Sequence, residues 1–331
     1  MRAVTLAGAH DLQPVELADP HALDGEVVVR VSGCGICGSD VSSYKVGLFS
    51  DIVPGHELAG VIESVGSGVD GWGAGDAAII DPKSPCGMCD DCRSGARYRC
   101  AMSLTAGIGF GRNGGFAELV AAPAALLHRV PAGLRVDDAC LVEPLSVAIH
   151  GVERAALQPG HTAVVVGLGP IGLFTVAVLR ARGAGDIIAA DPVADRRRLA
   201  LDLGASNVCA DVSEVRGTIA QAPAVIECSG HPEVLHAAAD LVAPGGRLVL
   251  VGVPFGRAQV APLMWVTREI EIIGSIASSE ADFVAAIDML AGRPELAAVA
   301  TRRVSLSEVP GVFEELITPA AGGKVVVDPR L

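Results

Sequence analysis

Residues able to do metal and redox chemistry fall in three places along this 331-residue chain. The densest is Cys86-Gly-Met-Cys89-Asp-Asp-Cys92, continued to Cys100, a C-x2-C-x2-C-x7-C spacing inside fifteen residues. Short x2 spacings let one loop wrap a tetrahedral zinc, and four thiolates leave no position for water, so this site is expected to be structural. Iron–sulfur clusters also use C-x2-C-x2-C runs, but the longer gap to Cys100 and a single cluster beside a nucleotide fold favour zinc. The second place is scattered over Gly35-Ile36-Cys37-Gly38-Ser39-Asp40, Gly55-His56-Glu57 and Glu143-Pro144-Leu145. Together these segments offer a thiolate, an imidazole and carboxylates, the donor mix of a catalytic zinc that keeps one exchangeable position.

The third place is Gly167-Leu168-Gly169-Pro170-Ile171-Gly172, after the apolar run Ala163–Val166 and before an apolar helix pattern. Gly167 permits the tight turn, Gly169 lets the backbone approach a pyrophosphate, and Gly172 allows close helix–strand packing. Pro170 and Ile171 open the helix, whose N-terminus offers free N–H groups to phosphates. Asp191, nineteen positions beyond Gly172, ends the next apolar run. A carboxylate there can accept from the adenosine ribose hydroxyls and repels a 2′-phosphate, which favours NAD over NADP. Arg196, the first of three consecutive arginines, is the group that could instead meet a 2′-phosphate. Val251, closing the run Leu248–Val251, is grouped with the nucleotide-binding residues.

The elements that must position these groups read as two unlike regions. Up to about residue 146 the chain shows short β-like runs broken by glycine and proline: Glu26–Val31, Leu58–Val65, Asp76–Ile80 and Gly115–Ala121. From about 160 to 275 apolar runs at Ala163–Val166, Ile187–Ala190, Ala224–Glu227, Leu248–Val251 and Glu271–Ile273 alternate with helix-like segments, the pattern of a parallel sheet covered on both faces. A helix pattern around Asp137–Ala156 bridges the two, and the tail ends in a β-like Lys324–Val327.

Composition narrows the class. The chain is 50% hydrophobic and 19% charged, which excludes disorder, and its net charge of −13 disfavours nucleic acid or anionic membranes as partners. Thr162 to Leu179 carries no charge, but its central glycines and proline divide it into a β-like and a helical run rather than a membrane span. The N-terminal residues meet polarity at Ala9-His10-Asp11 instead of an apolar core, so a cytoplasmic location with reduced thiols is expected. The nine cysteines then read as metal ligands or packing groups before disulfides.

Taken together, Gly33–Asp40, Pro54–Gly60, Cys86–Cys100, Gly114-Gly115-Phe116-Ala117-Glu118, Glu143–His150, the Gly167–Gly172 turn and Gly245-Gly246-Arg247 resemble, end to end and in order, the zinc-dependent medium-chain alcohol and polyol dehydrogenases. The resemblance implies an α/β protein: a Rossmann doubly wound parallel sheet (149–280) inserted into a GroES-like, mainly-β catalytic domain (1–148 and 281–331), with the active site in the cleft between. It implies a catalytic zinc on Cys37 and His56, with Glu57 as the carboxylate that in relatives either ligates the metal or swings in as water leaves. A structural zinc is implied on Cys86, Cys89, Cys92 and Cys100. Glu143 is implied as the further carboxylate of the catalytic zinc set, either it or Glu57 being the resting ligand. It stands where classical alcohol dehydrogenases have a cysteine and sorbitol-type enzymes have Glu-Pro-Leu, which points to polyol, sugar-like or amino-alcohol substrates.

Ser39 matches the hydroxyl that relays the substrate proton. The family's usual histidine five residues after the ligand cysteine is Ser42 here, so the relay beyond Ser39 departs from the pattern. Cys34, Cys140, Cys209 and Cys228 match no ligand position and are expected to pack. The implied activity is NAD(H)-linked, zinc-dependent oxidation of a secondary alcohol to a ketone, or its reverse, by a homodimer or homotetramer. Two alternatives stand beside it: a zinc-independent NADPH quinone or enoyl reductase of the same architecture, which would lack the cysteine lobe, and a non-catalytic sensor that binds zinc and nucleotide without turnover. Phe49 or Trp265 could line the substrate pocket. The strand from Arg247 and the apolar Leu263–Val266 run suit either subunit pairing or core packing.

Overall fold

Four-residue apolar runs in the middle of the chain form strands buried on both faces, as a parallel sheet sandwiched by helices demands. In the computed structural model, which describes residues 1–253, 256–318 and 322–331, the strands in chain order are β1 (Arg2–Gly8), β2 (Asp11–Glu16), β3 (Glu26–Gly35), β4 (Glu57–Val65), β5 (Ala77–Ile80), β6 (Leu119–Pro123), β7 (Leu127–Arg129), β8 (Ala163–Val166), β9 (Ile187–Ala190), β10 (Asn207–Cys209), β11 (Ala222–Glu227), β12 (Val242–Leu250), β13 (Glu271–Gly274), β14 (Ala300–Val304) and β15 (Lys324–Val327). The chain divides into two compact units: Met1–Glu143 with Phe283–Ala320 and Lys324–Leu331, and Pro144–Asp282 with Ala321–Gly323.

The first unit is built on a mixed sheet in the order β14-β15-β3-β4-β5-β7, with β6 paired to β3 and a separate β1–β2 hairpin. Strand β3 is its hub: Glu26–Arg30 pair with β6, Val27–Gly35 with β4, and Cys34 and Gly35 with β15, all antiparallel. Val4, Leu6, Val27, Val29, Ile62, Phe116 and Phe313 fill the core, each at most 2% exposed. The rings of Phe116 and Phe313 meet edge to face, 6.0 Å apart.

The second unit is a parallel sheet ordered β10-β9-β8-β11-β12-β13. Strand order reverses between β8 and β11, the switch point where open α/β sheets take their ligands. Every residue of β8 and β9 is buried. Thr162 to Leu179 is thus a short strand and most of the helix Pro170–Ala181, and no helix among the described residues is long and apolar enough to cross a membrane.

Several boundaries differ from the sequence reading. The helix of the Asp137–Ala156 segment runs only from Val142 to Ala155, after a 3-10 turn at Ala139–Leu141. Strand β12 starts at Val242, ahead of Arg247, and passes through Pro244-Gly245-Gly246. Gly115 and Phe116 lie outside β6 because their N–H groups bond the carbonyls of Gly55 and Pro54. Leu263 and Val266 are 71% and 73% exposed, so that run is not core, whereas Trp265 packs against the core of this unit.

Candidate active site and metal centres

The loop from Cys86 to Cys100 is held by two short turns. Cys89 caps the helical turn Asp90–Arg93, and Cys100 closes the 3-10 turn Arg97–Arg99. These turns bring all four sulfur atoms within 4.8 Å of one another. Cys86 N donates to Cys100 Sγ at 3.3 Å, and the Cys86 and Cys92 sulfurs lie 4.0 Å apart. Backbone N–H groups of Met88 and Cys89 draw the Cys86 thiol down to about 6, while burial and Cys89 push Cys92 up to about 12. Four thiols this close cannot all shed protons unaided, and a divalent cation among them removes that conflict. The donor set and its spacing fit zinc.

The second cluster assembles at the end of β3 and the start of β4. Cys37 caps the helix Gly38–Val46, and Asp40, the third residue of that helix, accepts from Cys37 N at 2.9 Å to complete a capping box. Asp40 also lies 3.3 Å from His56 Nδ1, both side chains being almost wholly buried. One carboxylate therefore starts the helix and orients the imidazole, leaving Nε2 as the ring's other donor. Burial works against a charge on His56, but Asp40 and Cys37 outweigh it and hold its pKa well above 6.5. The His56 ring lies against Phe110, 4.5 Å between centroids.

Glu57 stands opposite Gly35 in the β3–β4 pairing and is fully buried. Its Oε1 accepts from Lys324 Nζ at 2.5 Å, and its Oε2 is buried with no hydrogen-bond partner among the described residues. Ligand atoms of Cys37, His56 and Glu57 lie within 4.8 Å of one another, a soft, an intermediate and a hard donor with an orphaned carboxylate oxygen. That set also fits zinc. Glu143 is not one of the three. It sits at the first turn of the helix Val142–Ala155, where burial, reinforced by Glu57, raises it to about 7 against the pull of His56, Lys83 and Lys324.

Ser39 lies on the first turn of the Cys37-capped helix and is partly exposed. Ser43 and Phe49 line a small cavity with Tyr44, Phe110 and Phe313, and Asp40 reaches its wall. Among the other cysteines, Cys34, Cys140 and Cys209 are buried and Cys228 is partly buried; none joins a metal-capable group among the described residues.

In the second unit the glycine-rich turn follows β8. Gly167 takes φ +87°, and a Cβ there would meet the Ser229 backbone at 2.6 Å; one on Gly172 would strike the Gly167 carbonyl oxygen at 1.9 Å. A Cβ on Gly169 would meet nothing within 4 Å, so this face of the turn is open. Gly169 caps the helix and Pro170 fills its first position, followed by Ile171. Asp191, 4% exposed, accepts from Leu168 N at 2.7 Å and from Val193 N at 2.8 Å, which ties the turn to the end of β9. Arg196 Nη1 lies 3.6 Å from the same carboxylate, and its Nε donates to the Gly322 carbonyl. Val251 is 8% exposed, with a methyl 2.8 Å from where a Gly151 Cβ would be, so its side chain packs against Gly151.

Sequence reading passed over Lys324 and the double duty of Asp40. The signal for the first was a lysine heading a strand whose every residue is buried. For the second it was an aspartate three residues after the capping cysteine.

Residues 23–132 match the alcohol dehydrogenase GroES-like domain, and residues 170–292 match the zinc-binding dehydrogenase domain. The chain is 31% identical to 2-dehydro-3-deoxy-L-galactonate 5-dehydrogenase of Pseudoalteromonas atlantica, over 92% of each protein. It is 34% identical to sorbitol dehydrogenase of Bacillus subtilis, over 77% of this chain and 75% of that one. A zinc-binding dehydrogenase of Sinorhizobium meliloti, solved bound to NADP, aligns with a TM-score of 0.91 at 31% identity, covering 99% of each chain. Galactitol-1-phosphate dehydrogenase of Escherichia coli aligns with a TM-score of 0.89 at 26% identity, covering 99% of this chain and 100% of its own. The chain belongs to the zinc-binding dehydrogenase family, among relatives that are polyol and sugar-alcohol dehydrogenases.

Proposed function

We propose that this protein is a zinc-dependent, NAD(H)-linked dehydrogenase that interconverts a secondary alcohol (a polyol, a sugar-like alcohol or an amino alcohol) and its ketone. The observation that carries the reading is the Cys37, His56 and Glu57 set, with His56 and Glu57 buried and Cys37 partly exposed, faced by Asp40 and distinct from a closed four-cysteine loop. Cys37, His56 and Glu57 would hold the catalytic zinc, with Glu143 as a further carboxylate nearby, and Cys86, Cys89, Cys92 and Cys100 the structural one. Zinc in the open site supplies Lewis acidity, which lowers the pKa of an alcohol oxygen towards neutrality.

The chain's own groups do the rest. Ser39 accepts the hydroxyl proton at its Oγ and passes it to water, with Ser42 and Ser43 as the next hydroxyls on the same helix. A nicotinamide held in the second unit would supply the two-electron acceptor, taking the carbinol hydride at C4 as the alcohol becomes the ketone. Gly167, Gly169, Pro170, Ile171 and Gly172 carry the pyrophosphate on open backbone N–H groups, and Asp191 receives the ribose hydroxyls. The buried Asp191 carboxylate supports NAD, while Arg196 beside it and the NADP held by the Sinorhizobium relative mark NADP as the competing coenzyme. Val251, just past the end of β12, is kept among the nucleotide-binding residues of this reading.

On this reading residues 1–148 with 281–331 are the catalytic domain and 149–280 the nucleotide domain. The protein works in the cytoplasm as a homodimer or homotetramer on small molecules, without nucleic acid or membrane. Formation of NADH over a panel of polyols, sugar alcohols and amino alcohols tests the activity, and metal analysis should find two zincs per chain. No turnover on any panel member, with NADH still bound, would leave a sensor instead; absence of zinc would leave a quinone or enoyl reductase.

A further inference from the structure

Lys324 is deeply buried for a lysine. Its side chain is 2% exposed, at the head of a strand in which all four residues are buried. Its ammonium donates to the Ile36 carbonyl at 2.9 Å and to Glu57 Oε1 at 2.5 Å. Glu57 is gripped from the other side as well, because a Cβ at Gly35 would lie 2.0 Å from Oε2. Only glycine leaves room for that oxygen. The carboxylate is thus fixed by one oxygen, and the other has no hydrogen-bond partner among the described residues and lies beside Cys37 and His56.

A buried ion pair is weak support for a fold, since desolvating both charges costs about as much as their attraction returns. Placed beside a metal-capable group, it has a different consequence. A carboxylate whose charge is balanced by an ammonium is a poorer metal donor than a free one, and one whose Oε1 is tethered has little freedom to advance.

We propose that Lys324 is a positioning residue that keeps Glu57 a weak, displaceable donor, so that Cys37 and His56 are the firm ligands and the neighbouring position stays open to the alcohol oxygen. The proposal rests on the reading that Cys37, His56 and Glu57 hold a metal. Without the lysine, Glu57 loses the tether on Oε1 and is free to turn onto the metal as a firm ligand.

The test uses the zinc-loaded chain as purified and its cobalt-exchanged form, in wild type, Lys324→Met, Lys324→Arg, Lys324→Gln and the double variant Lys324→Met with Glu57→Gln. Groups that bond to metal ligands shift metal affinity by about 10–100-fold. Release of the open-site metal to a chelator should therefore slow by about tenfold in K324M. Its cobalt visible bands should move, and kcat should fall more than KM changes. K324R should behave as wild type, and the double variant should release metal at least as fast as wild type. Should K324M fail to fold, K324Q keeps a hydrogen bond without the charge and should slow release to a lesser degree.

A folded K324M or K324Q with wild-type release and wild-type cobalt bands would overturn the proposal. If Cys37→Ser holds as much metal as wild type, the metal reading itself falls, and the proposal falls with it.

Discussion

The two metal-capable clusters are built on opposite plans. In the cysteine lobe, four donors of one kind come from one fifteen-residue loop, and their polar neighbours are chiefly one another and the loop's own backbone. In the Cys37 cluster, three donors of three kinds come from two segments, and partners from outside the set hold them: Asp40 faces His56, and Lys324 grips Glu57. A closed site is complete once its donors are gathered, because the metal satisfies them and they satisfy the metal. An open site must also be prevented from closing, and that requires charges placed around the ligands. The difference predicts that single changes at the lobe act on structure, whereas single changes at the open cluster act on chemistry.

The widest separation should come from a pair of serine substitutions. Cys37→Ser should abolish turnover while the chain stays folded, binds NADH and keeps one zinc. Cys92→Ser should also lose one zinc, but with turnover retained in part and with new protease cleavage within residues 86–100. Metal analysis, NADH fluorescence titration and limited proteolysis on both variants decide it. If C92S abolishes turnover as fully as C37S with the chain intact elsewhere, the two sites are not functionally distinct.

Asp40→Asn sharpens the same contrast at a smaller scale. The substitution keeps the size of the side chain, removes the charge facing His56 and weakens the helix cap. Zinc affinity of the open site should fall by about 10–100-fold, and the loss of the cap should cost about 1 kcal/mol. Competition with a chromophoric chelator should show one weakened zinc and one unchanged. Equal weakening of both zincs would point to a global effect and remove Asp40 from the open site.

How much of this was legible in the sequence follows from the range over which each signal acts. The cysteine lobe and the glycine turn are local, so spacing alone brought out Cys86–Cys100 and Gly167–Gly172. Strands β8 and β9 were legible because burial on both faces leaves unbroken apolar runs. Strand β14 was missed because Thr301, Arg302 and Arg303 interrupt its apolar character, and only pairing with β15 makes it a strand. The segment at Gly115 looked like a strand but spends its N–H groups on the loop at Pro54 and Gly55. Lys324 and Glu57 are 267 residues apart, and no periodicity reports a pair at that distance. The ligands could be named from local patterns; the charges that tune them belong to the tertiary fold.

The smallest effect concerns Glu143, the carboxylate beside the open cluster but outside the three-residue set. Its pKa rises from the ordinary 4.5 to about 7, so the folded chain favours its neutral form. Below pH 4.5 folded and unfolded chains are both protonated there, and the group has no effect on stability. Between 4.5 and about 7 the unfolded chain releases the proton first, so stability is lost as pH rises, and above 7 the loss is complete. The distance between the two values sets a ceiling of about 3 kcal/mol. Partial exposure and the cations nearby should reduce the observed effect to roughly 1 kcal/mol. Glutamine does not titrate, so Glu143→Gln should be near neutral at pH 4.5 and stabilising by that amount at pH 8. Urea unfolding across this range, in the Cys37→Ser background so that no open-site metal competes for the carboxylate, measures the difference. A difference that stays flat with pH would place Glu143 in an environment no drier than the surface, and would leave Asp40 and Glu57 as the carboxylates whose charges shape the open cluster.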